Sequence, residues 1–197
     1  MSESVYDLVI LGAGSGGYAA ALRASQLGLK VALIEGDKVG GTCLHRGCIP
    51  TKAYLHAAET ADAIRESDTF GVQATLQGID MAKVGQYRDS IINKLFRGVQ
   101  GLLSSRGVDV IEGWGRLASP DTIEVNGRRI VGRNIILATG SYSRSIPGLD
   151  ISGRIITSDQ ALQMEWVPQR AVVLGGGVIG LEFASVWRSF GAEVTII

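Results

Sequence analysis

A run of strand, glycine turn, helix and strand occurs twice in this chain, and it limits the possible folds more than any other feature. Val5 to Leu11 is an apolar strand candidate. Gly12-Ala13-Gly14-Ser15-Gly16-Gly17 follows, then a helical run over about residues 18–27, then the buried-strand run Val31-Ala32-Leu33-Ile34, closed by Glu35. The second copy, Val173-Leu174-Gly175-Gly176-Gly177-Val178-Ile179-Gly180, matches Ile10 to Gly17 at an offset of 163 residues. The offset persists onward: Gly191 falls on Gly28, Val194 on Val31 and Ile197 on Ile34. Gly-x-Gly-x-x-Gly between a strand and a helix is the fingerprint of a dinucleotide-binding unit. Gly12 makes the turn, Gly14 lets a pyrophosphate approach the backbone, and Gly17 lets helix and strand pack closely. The helix N-terminus faces the phosphates, and Glu35, 23 residues after Gly12, is placed for the ribose hydroxyls. The expected fold class is α/β: a Rossmann-like domain over residues 1–150, then the beginning of a second over 151–197.

Both cysteines lie in one stretch, Gly40-Gly41-Thr42-Cys43-Leu44-His45-Arg46-Gly47-Cys48-Ile49-Pro50-Thr51-Lys52. Five residues of regular helix rise about 7.5 Å, whereas a disulfide holds its Cα atoms about 4.4–6.8 Å apart. A Cys43–Cys48 bond therefore needs a tightened or distorted backbone between them, and Gly47 permits a tight turn. Pro50 biases Ile49 away from helical angles and is favoured in a first turn. The reading is a helix starting at or after Pro50, with Cys48 at its N-terminus, where the dipole favours a thiolate. Lys52, four residues on, can face the same group or a cofactor beside it. Two buried structural thiols are the plain alternative. A metal site would need more ligands than the nearby His45. A redox-active pair is the stronger reading.

Nineteen basic residues balance nineteen acidic ones, which gives no electrostatic case for nucleic acid or an anionic membrane surface. The 27 glycines among 197 residues are about twice the usual share. No apolar run reaches spanning length, and Met1-Ser2-Glu3-Ser4 lacks the basic start of a signal peptide. With only two cysteines, the expectation is a cytoplasmic protein, where a disulfide is more often catalytic than structural.

Between the repeats, Ala53–Arg65 reads as a helix, carrying His56 as an ordinary helix residue, and Met81–Ser105 as a longer one. Ile91, Leu95, Val99, Leu102 and Leu103 fall at helical spacing and read as core. A strand over 108–117 is broken by Gly113-Trp114-Gly115, with Trp114 read as core before cofactor contact. Asn126-Gly127 signals a hairpin. Asn134 to Ala138 reads as a buried strand ended by Thr139-Gly140, and Ser145-Ile146-Pro147-Gly148 as a loop. The position matching Glu35 would be 198, so the expectation is the N-terminal part of a longer protein.

Gly40-Gly41-Thr42-Cys43 with Gly47-Cys48-Ile49-Pro50-Thr51-Lys52 resembles the active-site signature of the FAD-dependent pyridine nucleotide-disulfide oxidoreductases, and Cys48 to Lys52 most resembles their dihydrolipoamide dehydrogenase branch. The likeness covers the whole chain. His45-Arg46 replaces the Asn-Val common in that family, and His45 is not assigned as a base.

The resemblance implies roles. Gly12, Gly14, Gly17 and Glu35 would bind the ADP half of FAD. Thr42 and Lys52 would lie on the flavin side, Gly115 would approach FAD, and Ala138-Thr139-Gly140 resembles a second FAD signature. Gly175, Gly177, Gly180 and Glu182 would belong to an NAD site. Cys48 would face the flavin, and Cys43 would exchange with the substrate. The implied reaction is oxidation of dihydrolipoamide, carried on an acyltransferase subunit of a 2-oxoacid dehydrogenase complex, with reduction of NAD+. The family's acid/base His-Glu pair and dimer interface lie in a C-terminal domain, so a homodimer is expected of a full-length chain and no turnover of these 197 residues alone. The alternatives are a related disulfide or metal-ion reductase using NAD(P)H, and a non-catalytic redox-sensing flavoprotein.

Overall fold

The computed structural model describes residues 5–197; the non-basic start Met1 to Ser4 lies outside the described residues. In chain order the elements are β1 (Tyr6–Leu11), α1 (Ser15–Gln26), β2 (Val31–Glu35), α2 (Gly41–Arg46), α3 (Cys48–Arg65), a 3-10 turn (Ser67–Phe70) and α4 (Met81–Ser105). There follow β3 (Asp109–Glu112), β4 (Gly115–Ser119), β5 (Thr122–Val125), β6 (Arg128–Leu137), α5 (Ser158–Ala161), β7 (Arg170–Val173), α6 (Val178–Phe190) and β8 (Glu193–Ile196). By internal packing the chain divides into two units. One holds the described residues up to His45 with Asn93–Tyr142; the other holds Arg46–Ile92 with Ser143–Ile197. Residues 46–92 thus group by packing with the second glycine repeat.

The first unit is built on a six-stranded sheet of order β3-β2-β1-β6-β5-β4. β3, β2, β1 and the second half of β6 are parallel. The first half of β6 turns back on β5 through Asn126 (φ 50°) and Gly127 (φ 71°), a two-residue hairpin, and β5 pairs antiparallel with β4. Parallel strands are buried on both faces. Leu8, Ile10, Val31 and Leu33 pack towards Ala21 and Ala24 of α1 and Leu103 of α4. Val9, Ala32 and Ile34 point the other way, onto Ile123, Val125 and Ile130 of the hairpin strands.

In the second unit β7 and β8 are parallel. Tyr54 and Ala58 of α3 share a core with Phe183, Val186, Trp187 and Phe190 of α6. Tyr54 is fully buried; its hydroxyl donates to the Leu162 carbonyl at 2.9 Å and accepts from Arg88 Nη1 at 3.1 Å.

The repeat seen in the sequence holds to the register. Leu8 pairs with Val31, and Ala171 with Val194, each 163 residues on. Gly12 donates to Ile34 at 2.8 Å, and Gly175 to Ile197 at 2.7 Å. The helices start at Ser15 and Val178, at the same offset and three residues before the sequence reading of the first.

Several side chains depart from their expected burial. On α4, Leu103 is buried and Val99 packs beside Phe96, but Leu95 and Leu102 are 40% and 51% exposed. Helical spacing put them on one face, but the packed face is the one through Phe96, Val99 and Leu103. At the end of β6, Ile136 and Leu137 are exposed rather than buried. Trp114 is 82% exposed and is not core. No helix among the described residues is long and apolar enough to cross a membrane.

Candidate functional site

In the first unit the glycines of the loop divide by what surrounds them. Gly12 has φ +99°, and a Cβ there would sit 2.2 Å from the Ala138 carbonyl oxygen and 3.2 Å from Thr139 Cα. Gly17 could not carry a side chain either, since its Cβ would lie 1.7 Å from the Gly12 carbonyl oxygen. Gly14, the N-cap of α1, meets only Gly41 Cα at 3.9 Å. Packing therefore demands glycine at 12 and 17, while at 14 it leaves open space before a helix N-terminus, as the approach of a phosphate requires. These residues fit the ADP half of a dinucleotide.

Glu35 closes this cradle. Its Oε2 accepts the Ala13 amide at 2.6 Å, and its Oε1 accepts the Asp37 amide at 2.9 Å. Its backbone carbonyl accepts the Gly113 amide at 2.7 Å, which ties the end of β2 to the Gly113-Trp114-Gly115 corner. Gly115 is packed on Leu11, Ile34 and Ile123, each within 3.1 Å of where its Cβ would stand. The structure thus brings Gly12, Gly14, Gly17, Glu35 and Thr139 together around one loop. Gly140 has φ +78° and no neighbour within 4 Å of its Cβ position among the described residues.

The cysteine segment grows from the same loop. The Gly40 amide donates to the Ala13 carbonyl at 2.8 Å. Gly41 has φ +57°, and a Cβ on it would press on Gly14 Cα at 2.6 Å. There α2 begins, carrying exposed Thr42 and half-buried Cys43. His45 Nε2 bonds the Val39 carbonyl at 2.8 Å, so that nitrogen carries the proton. The His45 ring meets Phe96 edge-on with centroids 5.1 Å apart. The sequence does not announce α2, because Gly40-Gly41 and Gly47 read as turn.

Gly47 (φ −139°, ψ −111°) breaks the helical run and caps α3, which starts at Cys48, two residues before the expected start. Pro50 is the third residue of that helix. The first amides of a helix have no intrahelical partner, so a proline there loses no bond. Cys48 is an exposed thiol at the helix N-terminus, in the second unit. One turn on, Lys52 is ion-paired with Glu182 of α6.

In the second loop, Gly175 has φ +101° and Gly180 would drive a Cβ to 2.2 Å from the Gly175 carbonyl oxygen, while Gly177 has no neighbour within 4 Å of its Cβ position among the described residues. This is the arrangement of the first loop, and it likewise suits the ADP half of a dinucleotide. No three His, Cys, Asp or Glu side chains are grouped to hold a metal ion among the described residues.

The Tyr54–Arg88–Leu162 cluster was not legible in the sequence. Burial raises the Tyr54 phenol above its ordinary value, opposed by the Arg88 guanidinium beside it.

The pattern of the pyridine nucleotide-disulphide oxidoreductases matches residues 6–197. Dihydrolipoyl dehydrogenase of Bacillus subtilis is 47% identical over 206 residues, covering 98% of this chain and 44% of that protein. The enzyme of the same name from Thermus scotoductus is 44% identical, covering 98% of this chain and 42% of its own length. Among solved structures, the Cu(II) complex of RclA, an HOCl-induced flavoprotein disulfide reductase of Escherichia coli, superposes with a TM-score of 0.79 at 31% identity, over 96% of this chain and 41% of that one. The chain thus spans less than half the length of these three proteins. On the match along its length and on these relatives, the chain belongs to the pyridine nucleotide-disulphide oxidoreductase family, whose cofactors are FAD and NAD(H).

Proposed function

We propose that the full-length protein oxidises dihydrolipoamide to lipoamide and reduces NAD+, as the lipoamide-oxidising subunit of a 2-oxoacid dehydrogenase complex. The observation that carries this reading is the weld between the first glycine loop and the cysteine segment: Gly40 is bonded to Ala13, and Gly41 is seated on Gly14. A nucleotide held by that loop is thereby in register with the helix that bears Cys43. On this reading, Gly12, Gly14, Gly17 and Glu35 hold the ADP half of FAD, with Gly115, Thr139 and Gly140 along it and Thr42 and Lys52 on its flavin side. Gly175, Gly177, Gly180 and Glu182 serve NAD. Residues 1–150 form the FAD-binding domain, and 151–197 open the NAD-binding one.

FAD, when bound, supplies two-electron chemistry between the cysteine pair and the nicotinamide. The cysteines do the exchange. A substrate thiolate attacks Cys43 Sγ of a Cys43–Cys48 disulfide, the S–S bond breaks, and Cys48 leaves as thiolate; the second substrate thiol then displaces Cys43 and closes the lipoamide ring. Two electrons and two protons leave the dithiol in balance. Cys48 is the exposed thiol of the pair, at the first position of α3. The test is NAD+ reduction by the full-length protein with dihydrolipoamide. Activity that vanishes in both Cys43→Ser and Cys48→Ser supports the proposal. Absence of activity with wild-type holoenzyme, or a fully active Cys43→Ser variant, overturns it.

A further inference from the structure

A large exposed aromatic ring is held against the acid end of the first nucleotide cradle. Trp114 is 82% exposed, yet it is anchored on both sides. Before it, Gly113 (φ +146°) donates to the Glu35 carbonyl at 2.7 Å. After it, Gly115 is wedged among Leu11, Ile34 and Ile123. The indole lies over Gly36, where a Cβ would meet three ring atoms at 2.5–2.8 Å. Gly36 directly follows Glu35, whose carboxylate is bonded to the loop amide of Ala13. Exposing an indole forgoes the burial that usually favours it inside, and fixing it there removes its freedom, so a rigid exposed tryptophan fits a surface that a flat ligand covers.

Topology says which part of a ligand that is. Ligands of such sheets bind outside the carboxyl ends of the strands, with the acid closing the second strand at the adenosine ribose. Trp114 follows the carboxyl end of β3, the neighbour of β2 in the sheet. The base attached to that ribose is the flat group nearest the indole. We propose that Trp114 is a stacking wall for the adenine of FAD, and that Gly36 is glycine so that the ring can lie flat across the chain. This rests on the reading that the first loop holds FAD.

The test uses the full-length protein, stripped of flavin and titrated with FAD and with FMN, which has no adenine. Bound flavin is followed by its own fluorescence and by quenching of tryptophan emission. A stacked base contributes enough that Trp114→Ala should weaken FAD about tenfold, while FMN binding stays within about twofold. Trp114→Phe should stay within about threefold of wild type, and Gly36→Ala, which pushes the ring aside, should behave like Trp114→Ala. Unchanged FAD affinity in Trp114→Ala, or equal losses for FAD and FMN, overturns the wall. Glu35→Gln separates this from failure of the underlying reading: if it weakens FAD and Trp114→Ala does not, only the wall falls. If Glu35→Gln and Gly14→Val both leave FAD untouched, the loop assignment falls instead. Because Trp114 is exposed, folding of its variants is checked by circular dichroism against Trp114→Phe.

Discussion

Lys52 on α3 is ion-paired with Glu182 on α6, so a residue assigned to the flavin side touches one assigned to the nicotinamide side. The Lys52 side chain is 59% exposed. Solvent screens such a pair, and it is expected to contribute less than about 1 kcal/mol to folding. A double-mutant cycle with Lys52→Ala and Glu182→Ala, read by denaturant unfolding of the full-length holoenzyme, should give a coupling within that bound. A coupling above about 2 kcal/mol would make the pair a structural strut.

Glu35 accepts two backbone amides, and its charge strengthens both bonds. Glu35→Gln keeps the shape and loses the charge. Affinity for FAD is expected to fall by about 1.5–3 kcal/mol, measured by flavin titration of the stripped full-length protein. Equal affinity would mean that Glu35 only ties the loop to the end of β2.

The glycines give a graded series. Gly17→Ala would force a Cβ to 1.7 Å from a carbonyl oxygen, so the loop must shift, at a cost of about 3 kcal/mol or more. Gly177→Ala meets open space among the described residues at φ −73° and should change stability by less than about 1 kcal/mol. Urea unfolding of the two variants side by side checks the order, and a milder Gly17→Ala would refute it.

Tyr54 carries a pH dependence whose sign is fixed. Burial raises its folded-state value above the ordinary 10.0. Its contribution is complete below that unfolded value and is lost as pH rises through the higher folded one. In the near-ultraviolet phenolate titration, wild type minus Tyr54→Phe should show one tyrosine ionising above pH 10. At neutral pH, Tyr54→Phe removes two hydrogen bonds and should cost about 1–3 kcal/mol by thermal or urea unfolding.

What was legible in the sequence was whatever glycine dictates. Gly12, Gly17, Gly175 and Gly180 are required by backbone angle or by a neighbour closer than any Cβ tolerates, so their spacing marked both loops and the 163-residue repeat, while the first helix starts three residues earlier than the sequence suggests. The family and the α/β class followed from the same residues with the cysteine segment. Faces were harder. Leu95 and Leu103 both fit a helical stripe, and only packing against α1 and the sheet decides that Leu103 is the buried one. Trp114 reads as core in the sequence because an indole favours burial, whereas here two flanking glycines hold the chain so that the ring stays outside. The Tyr54–Arg88–Leu162 cluster joins residues 34 and 74 positions apart with no local pattern to announce it.

The two glycine loops share a register and nearly the same φ at their first glycine, +99° and +101°, but not the same collar. Ala138, Thr139 and Gly41 crowd the first, whereas no atom of the described residues beyond chain neighbours comes within 4 Å of a Cβ built on Gly175 or Gly177. Two cradles of one shape cannot tell apart two ligands that share an ADP half. With FAD on the first loop and NAD on the second, as proposed above, discrimination falls to the collars: a chimaera exchanging only residues 12–17 with 175–180 should leave each ligand preference where it was, and one that moves residues 36–41 and 113–115 should not.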